Sequence, residues 1–285
     1  MKTVNILFFT LICGCEGFSN SVLRTAFKVI TSAKGVRWPL ISQSTRSKKL
    51  TDCERYDPTV TFPEYYHRPF HAYDNGNLCP VAAAECFSAT EAVMSFHYSE
   101  KSGSQANDHI RKKFAMLTRK YVEKNELAAD PKIVVDLGCG CGISTNFLHS
   151  TWPAATSIYG IDLSPFYLDL AVRPYRVVYM HRAAEDTRFF DNSVDLVSVS
   201  YMFHELSLAA CRDVLCEISR ILRPGGVLCV LDISADIKAS NPVLNHIFFK
   251  GEPHWEDYVS FSEQRDAILH LEGFEKPVVN NEYPK

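Results

Sequence analysis

Residues 134–142 read Val-Val-Asp-Leu-Gly-Cys-Gly-Cys-Gly, and this stretch constrains the fold more tightly than any other. A short apolar run ends in an acid and breaks at once into a turn with glycine at every second place. A helix-like segment, Ile143 to Leu148, follows directly. Strand, tight turn and helix start therefore occupy one line of sequence. Glycines at 138, 140 and 142 remove the Cβ at every second position of the turn, so a ligand can lie against bare backbone there. The carboxylate of Asp136 suits a ligand with hydroxyls or an ammonium group and repels a triphosphate. A P-loop needs Gly-Lys-Ser/Thr here, but Gly142 is followed by Ile143 and Ser144. A dinucleotide fingerprint needs G-x-G-x-x-G, whereas this turn is G-x-G-x-G. Alone, such a turn also reads as a plain connection with no ligand.

Later segments repeat the logic. Ile158 to Leu163 is a second apolar strand with Asp162 near its tip, and Ser164-Pro165 opens a helix behind it. An acid at the tip of the second strand holds ribose hydroxyls in nucleoside-binding α/β folds. Val177 to Met180 predicts a third strand, leading into Ala183-Ala184-Glu185-Asp186. The turn Asp191-Asn192-Ser193 precedes a fourth, Val194 to Val199. Val214, Leu215, Ile218, Ile221 and Leu222 fall at helical spacing and predict a helix over 208–221. Leu222-Arg223-Pro224-Gly225-Gly226 predicts a turn before a fifth strand, Val227 to Leu231. This alternation is the pattern of an α/β, Rossmann-like doubly wound sheet.

The set Val-Asp-Leu-Gly-Cys-Gly at 135–140, Gly-Ile-Asp-Leu-Ser at 160–164, Phe-Asp-Asn-Ser-Val-Asp at 190–195 and Leu-Arg-Pro-Gly-Gly at 222–226 resembles the class I S-adenosylmethionine-dependent methyltransferases of type 11. The resemblance covers roughly residues 131–275. It implies S-adenosyl-L-methionine as cofactor and a small-molecule methyl acceptor. It further implies that Gly138, Cys139, Gly140 and Gly142 pack against the methionine portion and that Asp136 receives its ammonium. Asp162 would take the ribose hydroxyls, Leu163 cover the adenine, and Ala184 and Glu185 meet the adenine edge. Many relatives carry Asp two residues before that Glu; here it is Ala183, with Asp186 or a backbone carbonyl as stand-in. An upstream stretch, Tyr65-Tyr66-His67-Arg68-Pro69-Phe70-His71-Ala72-Tyr73-Asp74-Asn75-Gly76-Asn77-Leu78, together with Glu252-Pro253 and Asp257-Tyr258, resembles a cyanobacterial and plastid group of such enzymes with no established acceptor.

Methyl transfer asks mainly for alignment and exclusion of water, because the sulfonium is already electrophilic. A base is needed only for a hydroxyl or an acidic carbon. His204, with Glu205 beside it just after the fourth strand, is the candidate; its alternative duty is to start a helix. Ser200 and Tyr201 at the same tip, with Ser200 on the cofactor side, are expected in the pocket. His71 and Tyr73 are expected to close it from an N-terminal cap, with plain aromatic packing as their alternative. No metal is expected: Leu208 stands where H-E-x-x-H needs its second histidine. The cysteines form no C-x-x-C pair, and Cys139 and Cys141 lie inside the glycine turn. The Asn-Pro-Pro-Tyr of many nucleic-acid amino-methyltransferases is absent after the fourth strand.

The first fifty residues differ in kind. An apolar run from Val4 to Cys15 reads as a signal peptide over 1–17. Residues 18–51 then read as a transit peptide, basic and Ser/Thr-rich with no acid before Leu50. The pair resembles the two-part plastid address of algae with secondary plastids; a secreted or endomembrane protein is the alternative. Residues 1–50 hold 8 of the 30 basic and 1 of the 33 acidic side chains, which leaves a body of net charge −10. Such a body suits a small molecule and opposes nucleic-acid phosphates. No stable membrane span is expected in the mature chain. A helical cap over 52–130, with helices at Pro80 to Met94 and Asp108 to Lys124, would precede the cofactor domain over 131–285. Val278-Val279 predicts a sixth strand, and no apolar run remains for the family's seventh. The alternative to an active enzyme is a methyltransferase-like protein that binds the cofactor without turnover.

Overall fold

The computed structural model describes residues 19–97, 101–124, 131–235 and 252–279. Five parallel strands, β1 (Ile133–Leu137), β2 (Ser157–Asp162), β3 (Val177–His181), β4 (Val194–Ser200) and β5 (Leu222–Leu231), lie in the order β3-β2-β1-β4-β5. Val134, Val135, Asp136 and Leu137 are all fully buried, as expected for a strand covered on both faces. The order reverses between β1 and β4, so a crevice opens beyond their carboxyl ends. The site residues predicted on the cofactor domain lie at or just beyond the carboxyl ends of β1, β2, β3 and β4.

Each face of the sheet has its own core. On one side α5 (Ile143–Thr151) and α4 (Gly103–Lys124) bring Leu148 and Val122 to Trp152, Ile158 and Leu196. On the other, α7 (Leu208–Ile221) and α8 (Trp255–Leu271) pack Val214, Leu215, Ile218, Trp255 and Phe261 against Val135, Leu137 and Val197. Each fully buried aliphatic side chain there contributes roughly 1.5–3 kcal/mol. The hydroxyl of Ser207 caps α7 by accepting from the Ala210 amide at 3.2 Å.

Two expectations change at the sheet. β5 begins at Leu222, which pairs with Val194, while Val227 pairs with Leu196. The predicted turn 223–226 is thus a bulge within the strand, since Pro224 has no N–H to give the ladder. Val278 and Val279 form no sixth strand: they lie outside any sheet, 75% and 48% exposed. Among the described residues, no strand follows β5 and no helix is long and apolar enough to cross a membrane.

The cap is helical, as expected. α3 (Pro80–His97) packs on α4, and α6 (Pro165–Leu168) lies beneath it. Ahead of them, α1 (Asn20–Ala33) and α2 (Gln43–Arg46) belong to the same layer. Phe27 meets the rings of Trp38 and Phe96, and Thr31 is fully buried. The basic side chains that give residues 18–51 their address-like composition engage the body. Lys28 pairs with buried Glu85, Lys48 pairs with Asp169 at 2.7 Å, and Arg24 lies over the Tyr73 ring. No structural break falls at residue 51. The expected signal peptide over 1–17 lies outside the described residues.

Candidate functional site

The glycine turn leaves β1 with positive φ at Gly138, Gly140 and Gly142. A Cβ on Gly138 would lie 2.7 Å from Met202 Sδ, and one on Gly142 would lie 2.2 Å from the Tyr179 hydroxyl. One on Gly140 would meet only Tyr167, at 3.7 Å. A side chain would collide at Gly138 and Gly142 but not at Gly140; Gly138 and Gly140 both line the cleft, whereas Gly142 lies against Tyr179.

Asp136, wholly buried, sits below the turn. Its Oδ2 accepts from the hydroxyls of Ser144 and Thr145, at 2.7 and 2.6 Å, both on the first turn of α5. Its Oδ1 has no partner. Burial pushes its pKa up to about 6 against the pull of those hydroxyls. Arg111 of α4, 7% exposed, brings a buried positive charge that acts on Asp136, and its guanidinium lies over the Tyr201 ring at 5.6 Å. Asp162 is aimed by two amides: Gly140 donates to Oδ2 at 2.8 Å and Ser164 to Oδ1 at 2.7 Å. Burial lifts its pKa to about 6 as well. Each oxygen of Asp162 keeps a further lone pair for a hydroxyl donor.

Leu163, Ala184 and Glu185 come together, with Gly138 and Ile161, around a narrow cavity of about 70 Å³. Tyr65 and Tyr66 cover it from the upstream segment. The Tyr65 hydroxyl donates to Glu185 Oε1 at 2.5 Å, while Glu185 Oε2 is buried without a partner. Asp186 does not stand in for the acid missing at Ala183. Its side chain is 70% exposed and faces Arg188 at 3.7 Å.

Beyond β4 the backbone is strained where side chains converge. Phe70 and Tyr73 exchange both backbone hydrogen bonds across His71 and Ala72, which have φ of 51° and 59°. This is the left-handed pair of a type I′ turn, ordinarily built from Asn-Gly. Tyr201, beside Ser200 at the tip of β4, has φ of 57°. The turn presents His71 to two carboxylates: Nε2 lies 3.2 Å from Glu205 and Nδ1 lies 3.0 Å from Glu252. Although burial opposes it, these carboxylates raise the His71 pKa to about 10. Glu205 Oε2 also accepts from Asn77 Nδ2 at 2.8 Å, and His71 holds Glu205 below its usual range despite burial.

His204 is 4% exposed in a single 3-10 turn, and its Nδ1 lies 2.7 Å from Asp232 Oδ1, just past β5. An ionised carboxylate only accepts, so Nδ1 carries the proton and Nε2 is left for the cleft. Burial opposes the charged ring, but Asp232 outweighs it and raises the His204 pKa. One ligating atom from each of His71, His204 and Glu205 lies within 4.8 Å of the others. The sequence predicts His71 closing the pocket that holds His204 and Glu205, and predicts no grouping of three metal-ligating atoms. Tyr73 lines the same cleft from the cap side, and its hydroxyl donates to buried Glu85 at 2.6 Å.

Arg111, Asn77, Asp232 and Glu252 are the participants whose roles the sequence hid. Asn77 and Glu252 lie inside segments that carried the narrower resemblance, without a role there. Asp232 carried one legible signal, an acid closing a fifth apolar strand.

Residues 134–226 match a family model described as a methyltransferase domain. An uncharacterised methyltransferase of Synechocystis is 32% identical over 101 residues, 35% of this chain and 46% of that protein. The chain thus spans about half the length of that relative. An O-methyltransferase of Aspergillus nomiae is 26% identical over 65% of this chain and 83% of its own length. Among solved structures, phosphoethanolamine N-methyltransferase 2 of Haemonchus contortus, in complex with S-adenosyl-L-methionine, has a TM-score of 0.46 at 19% identity, covering 76% of this chain and 45% of that one.

Proposed function

We propose that this chain, which carries a class I S-adenosylmethionine-dependent methyltransferase domain over residues 134–226, transfers a methyl group to an oxygen of a small acceptor. One observation carries the reading. A histidine–carboxylate cluster, with His204 buried and His71 exposed, opens onto the same cleft as Asp162. That cleft is lined by Gly140, Asp162, Tyr201, His204 and Glu205 together.

The cofactor fits the residues present. The unpartnered Asp136 Oδ1 is a buried acceptor waiting for a donor, and the methionine ammonium supplies one. Arg111 offers the matching charge to the methionine carboxylate. Asp162, held by two amides, accepts the ribose hydroxyls, and Leu163 with Ala184 and Glu185 frames the base. When bound, the cofactor would supply an electrophilic methyl on a positively charged sulfur and would keep on sulfur the electron pair of its C–S bond.

The chain's own residues do the rest. Tyr65, Tyr66 and the cap exclude water. The acceptor hydroxyl loses its proton to Nε2 of His204 as the new O–C bond forms, while the cationic His71 and Glu205 hold the acceptor in place. An oxygen acceptor is favoured because a proton-accepting cluster is superfluous for a neutral amine. The similarity to the Aspergillus O-methyltransferase supports the same class. The body's net charge of −10 opposes a nucleic-acid substrate.

The test is methyl transfer from labelled cofactor to a panel of phenols, hydroxy acids and amines. Oxygen methylation that Asp162→Ala abolishes supports the reading; transfer to amines alone refutes it. A second reading, cofactor binding without turnover, draws on Tyr65 closing the narrow cavity over Glu185. It predicts calorimetric binding of S-adenosylhomocysteine and no methylated product. Delivery to a plastid belongs to the same proposal, and residues 1–51 fused to a fluorescent protein test it by where the fusion accumulates.

A further inference from the structure

Three would-be donors meet at the mouth of the cleft, and each is oriented from behind. Asp232 holds Nδ1 of His204, Glu252 holds Nδ1 of His71, and Asn77 holds one oxygen of Glu205. What faces the shared centre is Nε2 of His204 and the pair His71 Nε2–Glu205 Oε1, 3.2 Å apart, whose mutual hydrogen bond an ion would replace. We propose that His71, His204 and Glu205 bind one divalent transition-metal ion, with acceptor oxygens as its remaining ligands. The proposal rests on the methyl-transfer reading and deepens it by naming what activates the acceptor.

Three observations carry it independently. The first is proximity: one ligating atom from each residue lies within 4.8 Å of the other two. Ligands at 2.0–2.2 Å from a common ion stand roughly 3–4 Å apart, so small side-chain shifts close the set. The second is the outer shell. Metal-bound histidines almost always give their other N–H to a carboxylate, carbonyl or water, and both rings here do so. Asp232 also accepts from the Ile233 amide, which fixes its own orientation. The third is strain. Two consecutive non-glycine residues, His71 and Ala72, are held in the left-handed region, a strained conformation that the surrounding structure must enforce, on the turn that carries His71 into the cluster.

The donor set selects the ion. Two imidazoles and one carboxylate suit Zn²⁺, Mn²⁺, Fe²⁺ or Co²⁺, whereas Mg²⁺ and Ca²⁺ prefer oxygen throughout. Three protein ligands leave positions open, as catalytic sites do. An acceptor hydroxyl bound there ionises more readily. With the ion bound, His204 is a ligand instead of the proton acceptor, and the hydroxyl proton leaves to solvent before the methyl group moves.

The experiment uses the full chain stripped with chelator and titrated with Co²⁺, read by visible absorption and calorimetry. Far- and near-ultraviolet circular dichroism monitors folding. The expected result is one equivalent bound. His71→Gln, His204→Gln and Glu205→Gln abolish it, and Glu252→Gln or Asp232→Asn weakens it about 10–100-fold. Where the buried His204 variant fails to fold, His71→Gln carries the test, because its side chain is 41% exposed. A natively folded chain that takes up no Co²⁺, or one whose single equivalent survives both His71→Gln and Glu205→Gln, overturns the proposal. Binding of S-adenosylhomocysteine is measured on the same samples. Cofactor binding without Co²⁺ sinks the metal site alone; Co²⁺ binding without cofactor sinks the methyl-transfer reading alone.

Discussion

Asp136 concentrates the conflict between stability and binding into one carboxylate. Its pKa of about 6 lies above the ordinary 3.8, with burial the cause. Between those values the folded chain holds a proton that the unfolded chain releases. Stability therefore falls as pH rises through about 4 to 6, and the cost is complete above it. Asp136→Asn removes the buried charge and is expected to stabilise the ligand-free protein at pH 8 by roughly 1–3 kcal/mol, measured by urea unfolding. The same variant loses the acceptor meant for the cofactor ammonium, so calorimetry should find S-adenosylhomocysteine binding weakened about 10–100-fold or more. A destabilised variant that still binds would contradict the assignment. His204 gives a second prediction. It serves only when neutral, and Asp232 raises its pKa, so methyl transfer should climb as pH rises through that value. Asp232→Asn withdraws the carboxylate, and the acid limb of the rate profile should move to lower pH. An unmoved limb would mean that another group titrates. Asp136 and Asp162 were legible because each closes an apolar strand. Asp232 meets its histidine, and Glu252 meets His71, only through the fold; no local spacing marks either pair.

Elements were the most legible level, and the exceptions share one physical source. The strands over 133–200 and the helix over 208–221 follow from apolar periodicity, which packing here reinforces. The bulge in β5 was hidden because a Pro-Gly-Gly turn reads alike whether it precedes a strand or interrupts one. Val278 and Val279 have β-propensity but no described strand beside them, and propensity without a partner makes no sheet. The glycine turn was read correctly as a turn and only partly correctly as an opening. Gly142 is expected to tolerate no side chain: a Cβ there falls 2.2 Å from the Tyr179 hydroxyl, at φ of 79°. Gly142→Ala should cost about 1–3 kcal/mol, seen as a lowered midpoint in thermal unfolding. Gly140→Ala, with 3.7 Å of clearance, should unfold closer to the parent and instead lose cofactor affinity. Equal midpoints for the two variants would refute the distinction.

At the scale of the whole molecule, the N-terminal layer is where composition and packing tell different stories. Residues 18–51 look like an address because they are basic and nearly free of acid, yet the acids that match them lie on the body. Glu85 is 1% exposed; it takes Lys28 as its ion partner and the Tyr73 hydroxyl at 2.6 Å. Breaking a buried pair by removing one partner leaves an uncompensated charge, at a cost that reaches 3–5 kcal/mol. Lys28 is itself 26% exposed, so water screens the pair and the lower part of that range applies. Deleting residues 1–51 also uncovers Phe96 of α3, on which Phe27 stacks, and leaves Asp169 to Arg55 without Lys48. The truncated chain should therefore melt several degrees below the full chain. Adding Glu85→Gln to the truncated chain should recover part of the loss, because it removes the stranded charge while leaving Tyr73 an acceptor. Tyr73 follows directly on the turn that bears His71, so loosening that anchor should also weaken Co²⁺ binding at the cluster while Glu85→Gln partly restores it. A truncated chain as stable as the full one, with cluster properties unchanged, would mean that the layer is dispensable and that residues 18–51 serve only as an address.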